Sequence, residues 1–312
     1  MLRYWDNSKG TPDTHLSSKE TETISMMANM GLSIQENHMD RVYAQSLRIL
    51  YKKCFVHKLL YGLAGIPMKS KSLDYIELID RKVLRSFLNL PSSTPKVSLY
   101  IELGVIPIKF NLWKRKLGMW WRISQEKAND LIKECRKEQI DSSLPWIVEI
   151  NEIACRLKID LDKAKSTSKD SWKMEVKEKI KDQAKNLLDT ELKELKGYRE
   201  NTKDEVIVGK EKRYIDLTQK KAKVWFRMRA NIIDPAPRQP YNPNSIWKCK
   251  FCEAEEQSTK HYVMMCEGIE QDIFREIDRE TVFNIIQTLE CPEPIFNQVT
   301  QILIKIYFLI NA

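Results

Sequence analysis

The 312-residue sequence contains no Asp-Asp pair, no glycine-rich phosphate loop and no H-E-x-x-H stretch. Nucleotidyl transfer needs two metal ions held by clustered carboxylates, so the missing pair excludes polymerisation by this chain alone. The other two absences exclude a P-loop nucleotide site and a zinc-peptidase site. Histidine is scarce, with four in all. His15, His38 and His57 lack a Ser or Cys and an acid arranged beside them, and read as surface or capping residues. Asp74 and Asp80 fall in a helical pattern rich in salt-bridge partners and read as ordinary helix surface. Glycines number nine while charged residues make up 30%, which favours a helical protein over a sheet protein or a disordered one. Long apolar runs are missing too. "ILIKIYFLI", Ile302 to Ile310, is interrupted by Lys305 and falls short of the roughly 20 residues of a spanning helix. It reads as a buried terminal helix or strand, and no membrane partner is expected. "MLRYWDNSKG" has no apolar run of the secretory kind. Cysteines number seven, an odd count. Cys54, Cys135, Cys155 and Cys291 are scattered without pairing pattern, which fits a reducing, intracellular compartment, nucleus or cytoplasm.

What is present is positive charge and helical periodicity. Lys and Arg total 52 against 43 acidic residues, a net charge of +9 that favours a polyanionic partner. "RVYAQSLRILYKKCFVHKLLYG" predicts one helix with Val42, Leu47, Leu50, Cys54 and Leu60 on its buried face and Gly62 as its stop. In "KSLDYIELIDRKVLRSFLNLP", Leu73, Ile76, Ile79, Val83 and Phe87 form a second stripe that ends before Pro91. "STPKVSLYIELG" offers Ser93 or Thr94 as N-cap, Pro95 in the first turn and Gly104 after the last. "PIKFNLWKRKLGMWWRIS" predicts the next helix, in a stretch without an acidic residue from Glu102 to Glu126. Trp172 to Lys196 reads as a long surface helix with Val176, Ile180, Leu187 and Leu195 buried. "GYRENTKDEVIVGKE" reads as a loop.

The strongest local pattern is "CKFCEAEEQSTKHYVMMC", Cys249 to Cys266, with spacing C-x2-C-x8-H-x4-C. Zinc binds thiolates and neutral imidazole tetrahedrally, and three cysteines with one histidine make a standard structural set. C-x2-C presents two sulfurs from one turn, and His-x4-Cys brings a nitrogen and a sulfur together on a helical turn. Cys249, Cys252, His261 and Cys266 are therefore the expected ligands of one structural zinc. Four protein ligands leave no open position for water activation. So short a segment cannot bury a core alone, so the metal would supply its folding energy.

"KRYIDLTQKKAKVWFRMRAN" predicts a basic amphipathic helix before the proline-rich "DPAPRQPYNPN". On a helical wheel Lys212, Arg213, Lys220, Lys223 and Arg227 share one arc, with Tyr214, Leu217, Val224, Trp225 and Met228 opposite. Phe226 lies at the edge of the basic arc, where its ring would stack on a base. RNA or DNA is the expected partner; a merely solvated face is the alternative.

Several stretches in series resemble one family. "ILYKKCFVHKLLYG", "IDRKVLRSFLNLPSSTPKVSLYIELGVIPIKF" and "KAKVWFRMRANIID", followed by the cysteine-histidine stretch, resemble the C-terminal part of non-LTR (LINE-type) retrotransposon reverse transcriptases. The resemblance covers most of residues 40–125 and 218–268. It implies a helical thumb region that holds a template–primer duplex through its backbone, then a zinc knuckle implicated in nucleic-acid binding. Lys114, Arg115 and Lys116 match a basic stretch after the thumb turn. The palm with its catalytic aspartates is missing, and "RYWDNSKG", with Tyr4, Trp5 and Asp6, is the expected remnant of its end. The chain is thus expected to be a truncated copy or partial gene product. The expected organisation is mainly α: a degraded palm end (1–35), a thumb-like helical bundle (36–125), a charged helical linker (126–210), a basic helix and Pro-rich connector (211–248), a Cys3His zinc knuckle (249–268) and a C-terminal tail (269–312). The expected function is nucleic-acid binding without catalysis. A zinc-dependent protein-interaction module, and a subunit that completes a palm-containing polymerase chain in trans, are the alternatives.

Overall fold

The computed structural model describes residues 17–22, 25, 42–125, 129–203, 206–232, 249, 251–254 and 258–311. The expected palm remnant, apart from a few residues, and the proline-rich connector lie outside them. The fold is mainly α, and the described residues contain no strand, only an isolated bridge between Tyr43 and Thr218. The helices are α1 (Ala44–Leu50), α2 (Val56–Leu59), α3 (Ser70–Phe87), α4 (Lys96–Glu102), α5 (Ile108–Ser124), α6 (Asp130–Asp141) and α7 (Pro145–Leu157). They continue with α8 (Lys169–Lys193), α9 (Lys196–Glu200), α10 (Gln219–Arg229), α11 (Arg279–Thr288) and α12 (Glu293–Asn311). No helix among the described residues is long and apolar enough to cross a membrane.

Two compact units emerge, and they interleave along the sequence where a linear series was expected. Of the described residues, the first unit takes those before 34 and those in 49–81 and 106–187; the second takes 42–48, 82–105 and those from 188 onward. In the first unit, Leu59, Leu63, Ile108, Leu112, Leu117, Ile150 and Trp172 are all at most 1% exposed. Tryptophan N–H groups in this apolar core need acceptors. Trp120, Trp146 and Trp172 donate to the carbonyl oxygens of Leu161, Ala64 and Leu117 at 3.2, 2.8 and 3.1 Å. Tyr51 donates to Asp80 at 2.6 Å, and Asp80 is fully buried. The reading of Asp80 as helix surface is therefore corrected: its carboxylate satisfies a phenol inside the unit.

The first predicted helix is interrupted. A π turn, Tyr51–Phe55, separates α1 from α2. The wider turn rotates the following face, so Tyr51 and Phe55 are buried while Leu50 and Cys54 are only half-buried. Gly62, at φ +78°, stops the segment as expected. α3 buries Ile76, Ile79, Val83 and Phe87 of its predicted stripe, and Leu73 is half-buried. Pro95, not Ser93 or Thr94, occupies the N-cap position of α4, and it makes no side-chain cap bond.

The second unit is built around α10. The predicted basic helix does not run from Lys212: Arg213–Asp216 form a 3-10 turn, and Leu217 and Thr218 are extended before α10 starts. Neighbours bury α10 from Ala222 to Arg229, while Lys220 and Lys221 in its first turn are half-buried. Trp225 stacks between Tyr214 and Phe296, at centroid distances of 6.1 and 4.9 Å, and donates to Thr300 Oγ1 at 3.0 Å. The segment expected as a tail supplies much of this cover. It forms α11 and α12, whose Val282, Ile286, Val299, Leu303 and Ile306 are fully buried. Tail is therefore the wrong description of 269–312, because its apolar stripes close the core.

The "ELG" of "YIELGVIP" has a physical explanation. Glu102 and Arg229 are both fully buried and pair at 3.0 Å. Tyr198 and Tyr214 also donate to the Glu102 carboxylate, and Arg229 also donates to the carbonyl of Ile286. Gly104 has φ +57°, and a Cβ there would lie 2.4 Å from the Glu211 nitrogen. Arg48 donates to the Leu103 and Gly104 carbonyls at 2.8 and 3.2 Å and pairs with Glu211.

Candidate metal centre

Cys249, Cys252, His261 and Cys266 come together in the second unit, with their four donor atoms all within 4.8 Å of one another. Local backbone explains each placement. Cys249 N–H donates to the Ala254 carbonyl at 2.7 Å, and Glu253 N–H returns to the Cys249 carbonyl at 2.8 Å. Glu253 takes a left-handed φ of +58°, which closes the C-x2-C loop. His261–Met265 is a π turn, and Cys266 N–H donates to the His261 carbonyl at 2.8 Å. The x4 spacing therefore works through an i to i+5 bond, not an ordinary α turn.

Three of the donor–donor distances match the edges of a tetrahedral ion. Cys249 and Cys266 sulfurs are 3.6 Å apart, Cys266 and Cys252 3.8 Å, and Cys252 Sγ lies 3.3 Å from His261 Nε2. A tetrahedron with metal–sulfur bonds of about 2.3 Å has S···S edges of about 3.8 Å and slightly shorter S···N edges. A disulfide needs about 2.05 Å, and the three thiols are free. At Cys249, burial disfavours the thiolate, but the backbone N–H groups of Phe251 and Cys252 together with the Cys266 and Cys252 thiols outweigh it and lower the pKa. Cys266 is pushed up to about 12, by burial first and by the neighbouring Cys249 and Cys252. A cation at the centre would favour the Cys266 thiolate that burial and its neighbours disfavour.

The surroundings hold this loop to the core. Thr259 Oγ1 donates to the Met228 carbonyl at 2.6 Å, and Thr259 N–H donates to Asn231 Oδ1 at 2.8 Å. Arg279 donates to the Val263 and Ile269 carbonyls at 3.1 and 2.8 Å. Gly268 packs on the C-x2-C loop so closely that a Cβ would lie 2.5 Å from the Phe251 carbonyl oxygen. Gly268, Thr259 and Arg279 escaped the sequence reading. Only Gly268, two residues after the last ligand, left a signal there.

The expected nucleic-acid residues are placed very differently. Phe226 is fully buried, so stacking on a base is corrected to core packing. Arg227 is buried and donates to Tyr307 Oη at 2.6 Å. Lys223 is buried, and Lys220 lies over the Phe308 ring at 5.3 Å. Arg213 lies over Phe296 at 4.3 Å and pairs with Glu293, while Lys212 is half-buried at the start of the 3-10 turn. The five-residue basic arc therefore does not form: Lys212 and Arg213 lie outside α10, Lys223 and Arg227 are buried, and Lys220 is half-buried. In the first unit Lys116 is fully buried, bonded to the Ile66 carbonyl at 2.5 Å and to Glu149 at 2.9 Å, so it is withdrawn from contact with a nucleic-acid backbone. Arg115 is half-buried and reaches His57 Nδ1 at 3.1 Å, and Lys114 is exposed. No family model, curated protein or solved structure matches the chain.

Proposed function

We propose that the chain holds one structural zinc ion at Cys249, Cys252, His261 and Cys266 and binds nucleic acid through its phosphates, as a non-catalytic segment of the kind that follows the palm in LINE-type reverse transcriptases. The observation that supports the metal part is the grouping of three sulfurs and one nitrogen within 4.8 Å of one another, with three of the distances at 3.3–3.8 Å. Zinc suits this donor set, and with four protein ligands it supplies fold stability, not water activation. The resemblance in "STPKVSLYIELGVIPIKF" and the net charge of +9 support the nucleic-acid part. Within the site expected from the sequence, that part now rests on Lys114 and Arg115, since Lys223 and Arg227 of α10 are buried and Lys220 lies over Phe308.

The test uses the purified full chain. Elemental analysis should find one zinc per chain, lost on Cys252→Ser. Binding to RNA and DNA oligonucleotides should weaken steeply with salt, and no primer extension should occur on any template. Zinc-free protein purified without chelator, or binding indifferent to salt, rejects the corresponding half. A protein-interaction reading is favoured by one observation: α6 has no buried residue and exposes Leu131, Ile132 and Ile140. Salt-insensitive capture of a protein partner, lost when these three become polar, supports that reading instead.

A further inference from the structure

In α8, lysines recur at every fourth position: Lys169, Lys173, Lys177 and Lys181, all exposed. A row stepping by four residues winds around a helix by about 40° per step. The buried row of the same helix steps by four as well: Trp172, Val176, Ile180 and Ala184 are all at most 3% exposed. Lys173, Lys177 and Lys181 each follow one of these buried residues directly. They therefore keep a constant offset from the packing seam and line one edge of it, in spite of the winding. Glu178 and Asp182 fall one row further out and Glu175 on the other edge.

The seam is fixed by Trp172, whose indole N–H donates to the Leu117 carbonyl of α5 at 3.1 Å. Lys114 stands one helical turn before Leu117, and Lys173 directly follows Trp172. The two helices therefore bring ammonium groups together. Although the Lys114 side chain is exposed, desolvation by the protein around it lowers its pKa, and the charges of Lys177 and Lys173 lower it further. Among the described residues Lys173 reaches Asp170 at 3.8 Å, both of them exposed. Like charges gathered from two helices cost energy that a polyanion would relieve.

We propose that Lys173, Lys177 and Lys181 of α8, with Lys114 and Arg115 of α5 beside them, form a contact surface for the phosphate backbone of nucleic acid. The proposal rests on the nucleic-acid reading above and moves its main surface to a segment expected to be a mere linker. From Lys173 to Lys181 the row spans about 12 Å. A duplex carries a charge about every 1.7 Å of its axis, so that span offers each lysine a phosphate. An anionic membrane fits less well. An interfacial helix inserts its apolar face, and the apolar face of α8 is packed inside the unit.

The experiment compares three zinc-loaded full chains: the parent, K173Q/K177Q/K181Q, and a control, K133Q/K137Q/K163Q, which removes the same charge from exposed lysines elsewhere in the first unit. Binding to single-stranded and duplex RNA and DNA is followed by fluorescence anisotropy across a salt series, with phosphatidylserine vesicles as a further arm. The α8 variant should weaken binding to every sequence alike. Its log–log salt slope should be shallower by about 2 to 3, at roughly 0.7 to 0.9 per lost contact. The control should move the slope by less than one. If the parent binds and both variants behave alike, the α8 surface is wrong while the nucleic-acid reading stands. A parent that binds no nucleic acid at low salt, or only vesicles, overturns both.

Discussion

Thr259 donates its hydroxyl to the Met228 carbonyl at 2.6 Å, and by this bond the metal loop is fastened to the last turn of the helix at the centre of the second unit. Thr259 is fully buried. Thr259→Val keeps the shape and removes the donor, a loss of about 1 kcal/mol. We expect a lower urea midpoint for the zinc-loaded chain with an unchanged zinc content. Removal of the metal should in turn loosen the end of α10, with faster amide exchange at Met228 to Asn231. Exchange confined to the loop itself would show that the centre is uncoupled from the core.

Glu102 is expected to be the most sensitive carboxylate in the chain. Glu102→Gln leaves the Arg229 guanidinium buried without a counter-charge, which costs about 3–5 kcal/mol. Equilibrium unfolding reads this directly. A variant as stable as the parent would mean that Arg229 is served by its carbonyl partners alone.

Alkaline pH should find Tyr214. Burial first, and the Glu102 charge next, push its phenol well above the ordinary value of 10.0. The folded state therefore favours the neutral phenol. That contribution to stability is fully present below pH 10.0 and is lost as pH rises through the higher folded value. Unfolding and tyrosinate absorbance should rise together in the parent. Tyr214→Phe should remove this part of the alkaline loss, at the expense of one bond to Glu102. An alkaline transition identical in both proteins would contradict the assignment.

Phe226 separates core from interface. With its ring fully buried, Phe226→Ala should destabilise the chain by about 3–5 kcal/mol. The preference for single strands over duplexes should stay as it was, because the ring meets no base. A variant of parental stability with selectively lost single-strand binding would restore the stacking role.

The ligand set was legible in the sequence because metal ligation depends on residue type and short spacing, and both are local properties. Cys249, Cys252, His261 and Cys266 fall within one stretch, and the structure brings their donor atoms together where they could hold one metal ion. The mainly helical fold was legible for a similar reason, since stripes such as Ile76, Ile79, Val83 and Phe87 record one buried face at helical period. Tertiary structure decided which charged faces meet water. A helical wheel gives relative direction on one helix and says nothing of how many neighbours surround it. α10 packs against the 3-10 turn, α11 and α12, so Lys223, Arg227 and Arg229 became buried groups while Lys220 and Lys221 stayed half-buried. The π turn at Tyr51–Phe55 is equally non-local, because it exchanges one buried face for the next to place Tyr51 against Asp80. The lysines of α8 were plain in the sequence as charge. That they line a seam beside Lys114 followed only from the packing of Trp172 on α5, a contact between residues 55 apart in the chain.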